Sequence, residues 1–534
     1  MKTLIYGGPI ITMEESLESP EALIIHNGII EYVGDIEEAV SRAGAHARRI
    51  DLHGKCLIPA FIDAHSHISM VAQYSSFANL SNCTNFQEIV EQLREYIKNT
   101  DVHEQGIIIG CSYDHNFLAE QKHPDRYLLD QVSDEIPIFI FHTSNHMGVA
   151  NSALLALSGI TKDTIDPQGG RIKRDPNGEP DGLIEETPAL MLVMKDVFER
   201  VKEDFTEQMN QAQQKYLSYG ITTVQDGAST LTTIKKLSEY AEIGLLQLDV
   251  VSYVMSEEYD KTIQMYGTYR HKYHNHLKIE GAKIVLDGSP QGKTAWLSQS
   301  YEGEKEYRGF PTHEDVEVKS AALHAIKGEY QLLAHCNGDA AADQYIRCYQ
   351  DAYEEVVMPP SDLRPVMIHC QTVRDDQLVD MKKIGMIPSM FVAHTYYWGD
   401  VHLKNLGPVR GAHISPAKAA LDLGLMYNFH QDSPVLEPDM LKTVWCAVNR
   451  ITRNGVSIGS DQCISVYDAL KGVTINAAYA YHEENRKGSI RQGKIADLII
   501  LDQNPLNVPV TSIDKIQVLE TWKAGKCVYQ RDEK

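Results

Sequence analysis

From about residue 206 the chain alternates apolar, strand-length runs with helix-length stretches at regular spacing, and few folds accept that rhythm. The runs lie at 221–225, 248–255, 279–287, 331–335, 365–369, 387–392 and 425–429, with helical stretches such as 205–217, 232–242 and 316–327 between them. An earlier run, Leu57-Ile58-Pro59-Ala60-Phe61-Ile62, brings the count to eight. Eight strand–helix units predict an α/β chain built as a (β/α)8 TIM barrel, with active residues at the C-terminal strand ends.

Those ends carry the chemistry. The first run leads into Asp63-Ala64-His65-Ser66-His67. Strand side chains alternate faces, so His65 and His67 point the same way and can share one metal ion. The spacing alone decides little. With 22 histidines in 534 residues, chance supplies roughly one such pair. A second pair, His274-Asn275-His276, sits in a polar stretch that reads as a solvated loop. Context separates the two. Strand five ends in His335, strand six in His369, and strand eight runs into His430-Gln431-Asp432. Strand four carries Lys283, Val285 and Asp287 on one face, and Lys283 is the lone lysine of that run. Each residue alone reads as packing. Four histidines and one aspartate in barrel register read as a metal site.

The flanks differ. Short apolar pieces fill residues 1–58, cut by turns such as Asn27-Gly28, a hairpin signal. Similar pieces at 496–501, 516–521 and 526–529 predict that 1–58 and 485–534 fold together as a small β-sandwich, leaving 59–484 as the barrel. Residues 70–200 are too long for one connection. They read as an inserted α+β subdomain after strand one, expected to roof the pocket.

Composition narrows the function. A net charge of −23 argues against a nucleic-acid surface. Nine cysteines without a C-x-x-C pair indicate neither a zinc ribbon nor a disulfide framework, and suit a reducing compartment. Gly7-Gly8-Pro9 interrupts any signal-like start, and no run is apolar enough to span a bilayer. The expectation is a cytoplasmic protein acting on a small molecule, without nucleic-acid or membrane partners; a homodimer is allowed.

Together these residues resemble the amidohydrolase superfamily, in the branch that contains N-substituted formamide deformylase and the YtcJ-like proteins. The likeness rests on Phe61-Ile62-Asp63-Ala64-His65-Ser66-His67, on Gly220 through Asp226, and on Ala282 through Ser289. It continues in His335-Cys336-Asn337-Gly338-Asp339, His369-Cys370-Gln371, Asp432-Ser433-Pro434-Val435 and Gly488 through Leu498. Within 70–200 it includes Ser112 through Asn116, His146, Asn151 through Leu154, and Gly169 through Gly182. Two departures stand out: His115 replaces a second acidic residue, and His430-Gln431 replaces a Gly-Ser pair.

The resemblance implies a divalent metal, zinc first, one or two per chain. His65, His67 and Asp432 would hold one ion, and His335 and His369 another. Lys283 would bridge them as a carbamate, since burial lowers an amine's pKa and carbon dioxide traps the neutral form. The alternative for Lys283 is an ordinary pair with Asp287. Metal-activated hydroxide would cleave a non-peptide C–N bond of a small amide, formamide or cyclic amide, with Asp432 as general base and then acid. His369 would steady the oxyanion if one metal is present. Tyr113, Asp114, His146, His394 and Trp398 are candidates to touch substrate. Two other readings remain. One is a single-metal deaminase of a heterocyclic amine, disfavoured because no glutamate closely follows the strand-five or strand-six histidine. The other is a catalytically silent regulatory or binding protein.

Overall fold

The computed structural model describes residues 1–15, 19–100, 106–198 and 205–532. They form two units: Met1–Ile68, Ala212–Ser433 and Glu437–Lys534 in the first, Ser69–Gln211 and Pro434–Leu436 in the second.

The first unit opens with β1 (Lys2–Tyr6), β2 (Ala22–His26), β3 (Ile29–Gly34) and β4 (Arg48–Asp51), one sheet in the order β3-β2-β1-β4. Asn27 and Gly28 join β2 to β3 with φ of 51° and 79°, the two positive values that a tight hairpin turn requires. Next, β5 (Cys56–Pro59) enters a different sheet, and β6 (Phe61–Ile62) begins a third.

The second unit holds β7 (Ala78–Asn79), β8 (Ile108–Tyr113), β9 (Ile138–His142), β10 (Met147–Ala150), β11 (Arg171–Arg174) and β12 (Pro180–Glu185). They make one sheet, β11-β12-β10-β9-β8-β7, in which β7, β8 and β9 run parallel. Alternation sorts its side chains. Ile109, Cys111, Phe139 and Phe141 join one apolar cluster with Leu154 and Val193, while Ile108, Ile138 and Ile140 join another with Ile89 and Leu93. Helices therefore pack on both faces. One of them, Ser152–Leu157, is capped by the Asn151 side chain on Leu154 N–H.

Back in the first unit come β13 (Ile221–Ser229), β14 (Asp249–Met255), β15 (Leu277–Val285), β16 (Gln331–Cys336), β17 (Val366–His369), β18 (Ile387–Met390) and β19 (Asn428–Phe429). With β6 they form an eight-stranded, all-parallel sheet in chain order. It curls until the segments after its first and last strands meet, His67 N–H donating to Ser433 O at 2.9 Å. This is an α/β, TIM-barrel-like fold. Several details differ from the sequence reading: the first run divides, Cys56–Pro59 joining another sheet and only Phe61–Ile62 staying in this one, and the seventh strand ends at Met390. The last strand is short, because Tyr427 N–H turns back onto Leu425 O and only Asn428–Phe429 reaches the ladder. The fourth ends at Val285, so Asp287 lies beyond it rather than on a common face with Lys283.

Finally β20 (Leu498–Leu501), β21 (Val518–Lys523) and β22 (Lys526–Gln530) complete a sheet in the order β22-β21-β20-β5. It shares one apolar core with the β1 sheet, including Ile5, Leu23, Ile25, Leu57, Leu498, Ile500 and Trp522. The N-terminal end of the curled sheet is closed by apolar and charged groups. Ile62, Val251, Leu333 and Ile387 pack there against Ala477, Ala478 and Tyr481. Beside them, buried Lys278 bridges Glu280 and Glu483 at 2.8 and 2.7 Å, and Lys487 bridges Glu483 and Asp249 at 2.8 and 2.5 Å. Lys523 adds ion pairs to Asp249 and Asp497.

Candidate metal centre

A parallel ladder sets strand C-termini side by side, so residues that end neighbouring strands meet in space. The Nε2 atoms of His65 and His67, just past β6, lie 3.4 and 3.2 Å from Oδ1 of Asp432, just past β19. Lys283 on β15 brings Nζ to 3.4 Å from His65 Nε2. His369 ends β17 with Nε2 3.9 Å from Asp432 Oδ2, and the His335 ring on β16 lies 4.5 Å from that of His369. The six residues singled out as ligands stand in one chain of close approaches.

The imidazole approaches to Asp432 are not aligned hydrogen bonds. Asp432 Oδ1 is buried without one although two imidazole nitrogens are near, and His369 Nδ1 is buried without a partner. Buried polar groups are normally satisfied. Imidazole and carboxylate lone pairs converging on a point suit a divalent cation, and the residues present fit one. His369 and Asp432 also have φ of 71° and 55°, left-handed values that cost a non-glycine residue about 1–3 kcal/mol and cluster at functional sites.

Electrostatics set the donors in usable form. Burial, then the charges of Lys283 and His67, hold the His65 imidazolium well below its ordinary range. Burial and neighbouring histidines do the same to His369. Both rings are neutral lone-pair donors at neutral pH. Burial pulls the Lys283 amine down to about 7, against the opposing charge of Asp432. Burial tends to raise Asp432, but His67, His430 and Lys283 outweigh it and keep the carboxyl below the usual range.

Supporting groups fix the ring orientations. Gln225 on β13 donates its amide N–H groups to Ala64 O and Tyr481 Oη, so its Oε1, 2.5 Å from His65 Nδ1, is an acceptor. Nδ1 therefore carries the proton and Nε2 keeps its lone pair. Gly227 leaves room for the pair, since a Cβ there would stand 2.6 Å from the His65 ring. Asp287 Oδ1 approaches His335 Nδ1 at 3.2 Å, and its carboxylate accepts from the N–H groups of Trp296, Asn337 and Gly338. The Lys283–Asp287 pair weighed from sequence is absent from these contacts; Asp287 serves His335 and the backbone.

Two residues at the site were not among the sequence candidates. Gln225 lies inside a quoted motif, but its role depends on a contact 160 residues away in the chain. His430 is fully buried, its ring 5.2 Å from those of both His65 and His369. Neither ring nitrogen makes an aligned hydrogen bond. Its signal was visible as the departure before Asp432.

The substrate candidates divide between the units. In the first, His394 is buried with Nδ1 2.9 Å from His402 Nε2, and Trp398, 1 % exposed, packs against His394 and Phe391. In the second, Tyr113 Oη meets His123 Nδ1 at 3.0 Å, His146 Nδ1 meets Glu186 Oε2 at 2.9 Å, and Asp114 lies among histidines.

The sequence profile of the amidohydrolase family matches residues 48–529. The chain belongs to the amidohydrolase family. Among its relatives, N-substituted formamide deformylase of Arthrobacter pascens is 27 % identical over 99 % of this chain and 98 % of that protein. The putative amidohydrolase YtcJ of Bacillus subtilis (strain 168) is 24 % identical over 99 % and 100 %. A solved structure of an uncharacterized metal-dependent hydrolase from Pyrococcus horikoshii superposes with a TM-score of 0.77 at 25 % identity, covering 96 % of this chain and 99 % of that one. Family membership and the clustered donors agree on a metal-dependent hydrolase, within the branch the sequence suggested.

Proposed function

We propose that this amidohydrolase cleaves a non-peptide C–N bond of a small amide, formamide or cyclic amide. The observation that carries the reading is the approach of His65 Nε2, His67 Nε2 and Asp432 Oδ1 to one point beside a buried, weakly basic Lys283. The full-length similarity to a formamide deformylase favours the formyl amides among these substrates.

In this reading His65, His67 and Asp432 hold one divalent metal, and His335, His369 and a carbamylated Lys283 complete a second position. Zinc suits the imidazole-rich donor set. When bound, the metal supplies Lewis-acid activation of water and of the substrate carbonyl. The remaining steps belong to the chain. Lys283 Nζ, neutral in part near pH 7, bonds in its neutral form to the carbon of carbon dioxide and releases one proton, so a neutral amine becomes a carbamate anion. Asp432 enters as the anion, accepts a proton from the attacking water, and returns it to the departing nitrogen as the C–N bond breaks. Gln225 keeps His65 in the donor tautomer throughout. With a single metal, His369 faces the same carboxylate and steadies the developing oxyanion.

The test is hydrolysis of a panel of N-formyl amines and cyclic amides by full-length protein, before and after chelation and metal restoration. Formate or carboxylate released together with amine, dependent on metal and lost in D432N, is the expected result. Ammonia release from heterocyclic amines with no amide cleavage would overturn the reading in favour of deamination.

A further inference from the structure

The second unit contains another group of converging donors, in residues that the hydrolase reading does not use as ligands. β8 and β9 are parallel neighbours with Tyr113 opposite His142. Asp114 and His115 follow β8 immediately, and His142 is the last residue of β9. Parallel pairing therefore sets Asp114, His115 and His142 together at one strand end, although 27 residues separate the two histidines.

The same three atoms meet in every pairwise contact. His115 Nδ1 lies 3.1 Å from His142 Nε2, His142 Nε2 lies 3.6 Å from Asp114 Oδ1, and His115 Nδ1 lies 3.9 Å from Asp114 Oδ1. The point equidistant from the corners of that triangle is about 2.1 Å from each, and zinc–imidazole and zinc–carboxylate bonds are about 2.0–2.2 Å long. Asp114 and His142 are buried and His115 is largely so. Burial, with His142 adding to it, lowers the His115 imidazolium to about 4, so its ring is a neutral donor at pH 7.

The surroundings have the parts of an outer shell. Ser144 Oγ, which accepts from His146 N–H, stands 2.9 Å from His142 Nδ1 and can accept its proton, leaving Nε2 as the lone-pair donor. The Ser144 backbone N–H also points at Nδ1 from 3.1 Å. It favours the other tautomer, whose Nε2 proton would lie between the two rings, so ion binding requires that proton to move to Nδ1, where Ser144 Oγ can accept it, and frees Nε2 for the metal. The His123 ring stacks on His115 at 3.8 Å and is itself tied to Tyr113 Oη. Asp114 Oδ1 also accepts from Asn116 N–H and Nδ2–H, which holds the carboxylate in place.

We propose that Asp114 Oδ1, His115 Nδ1 and His142 Nε2 form a second metal site that takes a zinc-type divalent ion, with its fourth position open to water or a small anionic ligand. The two-imidazole set selects zinc, cobalt or nickel over magnesium or calcium. The inference stands independently of the hydrolase reading, because it uses none of the residues after β6, β15, β16, β17 or β19.

Cobalt(II) titration of chelator-stripped, full-length protein tests it. The parent carries H65A/H67A to weaken the first centre, and D114N, H115Q or H142Q is added to it singly. D114N keeps the size of the side chain and its contact with Asn116 N–H, and melting curves without metal verify folding; D114N decides the matter if a histidine variant fails to fold. The expected result is one cobalt equivalent fewer, or at least a tenfold weaker equivalent, in each folded variant than in the parent. Equal stoichiometry and affinity in the parent and in folded D114N, or a parent that binds no cobalt, would overturn the site.

Discussion

Two lysines of the first unit, Lys283 and Lys487, are each 2 % exposed, yet burial leaves them in opposite states. Lys487 sits at the N-terminal end of the curled sheet against Asp249 and Glu483. Burial lowers its pKa, but the surrounding carboxylates outweigh burial and raise it above the ordinary lysine value. Lys283 sits toward the C-terminal end beside His65, has no such set of carboxylates, and falls to about 7. Desolvation acts on both. Partners decide the outcome. One end of the sheet places its buried charge in ion pairs, and the other gathers imidazole, amine and carboxylate groups around Asp432.

That contrast can be broken by single substitutions. The largest effect is expected from D432N, which should lower turnover about 10²–10⁴-fold while the urea midpoint of the metal-free protein stays close to wild type; a large loss of stability would make Asp432 structural. At the other end, K487M strands Asp249 and Glu483 and should cost about 3–5 kcal/mol in urea unfolding, with kcat of the folded fraction unchanged.

Acid sensitivity should map to the same end. Burial works to raise Glu483, but Lys487 and Lys278 outweigh it and hold the carboxyl at about 2 against an ordinary 4.5. Its contribution is complete above pH 4.5 and drains away as pH falls through the window from 4.5 to about 2. The E483Q variant should flatten that part of the stability profile, and an unchanged slope would remove Glu483 from the account.

Smaller effects test the C-terminal end. Q225L removes the acceptor that fixes His65 and should weaken metal binding about 10–100-fold, read by competition with a chelator. H430L should stabilise the metal-free protein by about 1 kcal/mol, because it removes a buried ring that makes no aligned hydrogen bond. A destabilised H430L would mean that the two ends are less different than their contacts indicate.

The sequence carried much of this because strand-ending residues are legible where the strand is apolar. His65, His335 and His369 each close such a run, and parallel neighbours bring strand ends together whatever the loops do. The polar pair His274 and His276 read as solvated, and their side chains are 44 % and 46 % exposed. What the sequence hid depends on long-range pairing. Asp287 looked like a partner for Lys283 until the strand stopped at Val285 and the carboxylate turned to backbone N–H groups. The Gln225 amide becomes an acceptor for His65 only through Ala64 and Tyr481. His142 has no visible relation to the adjacent Asp114 and His115 until β8 lies beside β9.

The pairing of β5 with β20 also has a consequence in time. Leu57 faces Ile500 across that ladder, and Cys56 faces Leu501. A ribosome adding about 5–20 residues per second reaches β20 tens of seconds after it has made β5. Throughout that interval an apolar strand waits with one edge open, directly ahead of the strand that starts the curled sheet. Nascent chains stalled before residue 498 should therefore depend on chaperones and be the ones that aggregate, because only β20 covers the waiting edge of β5.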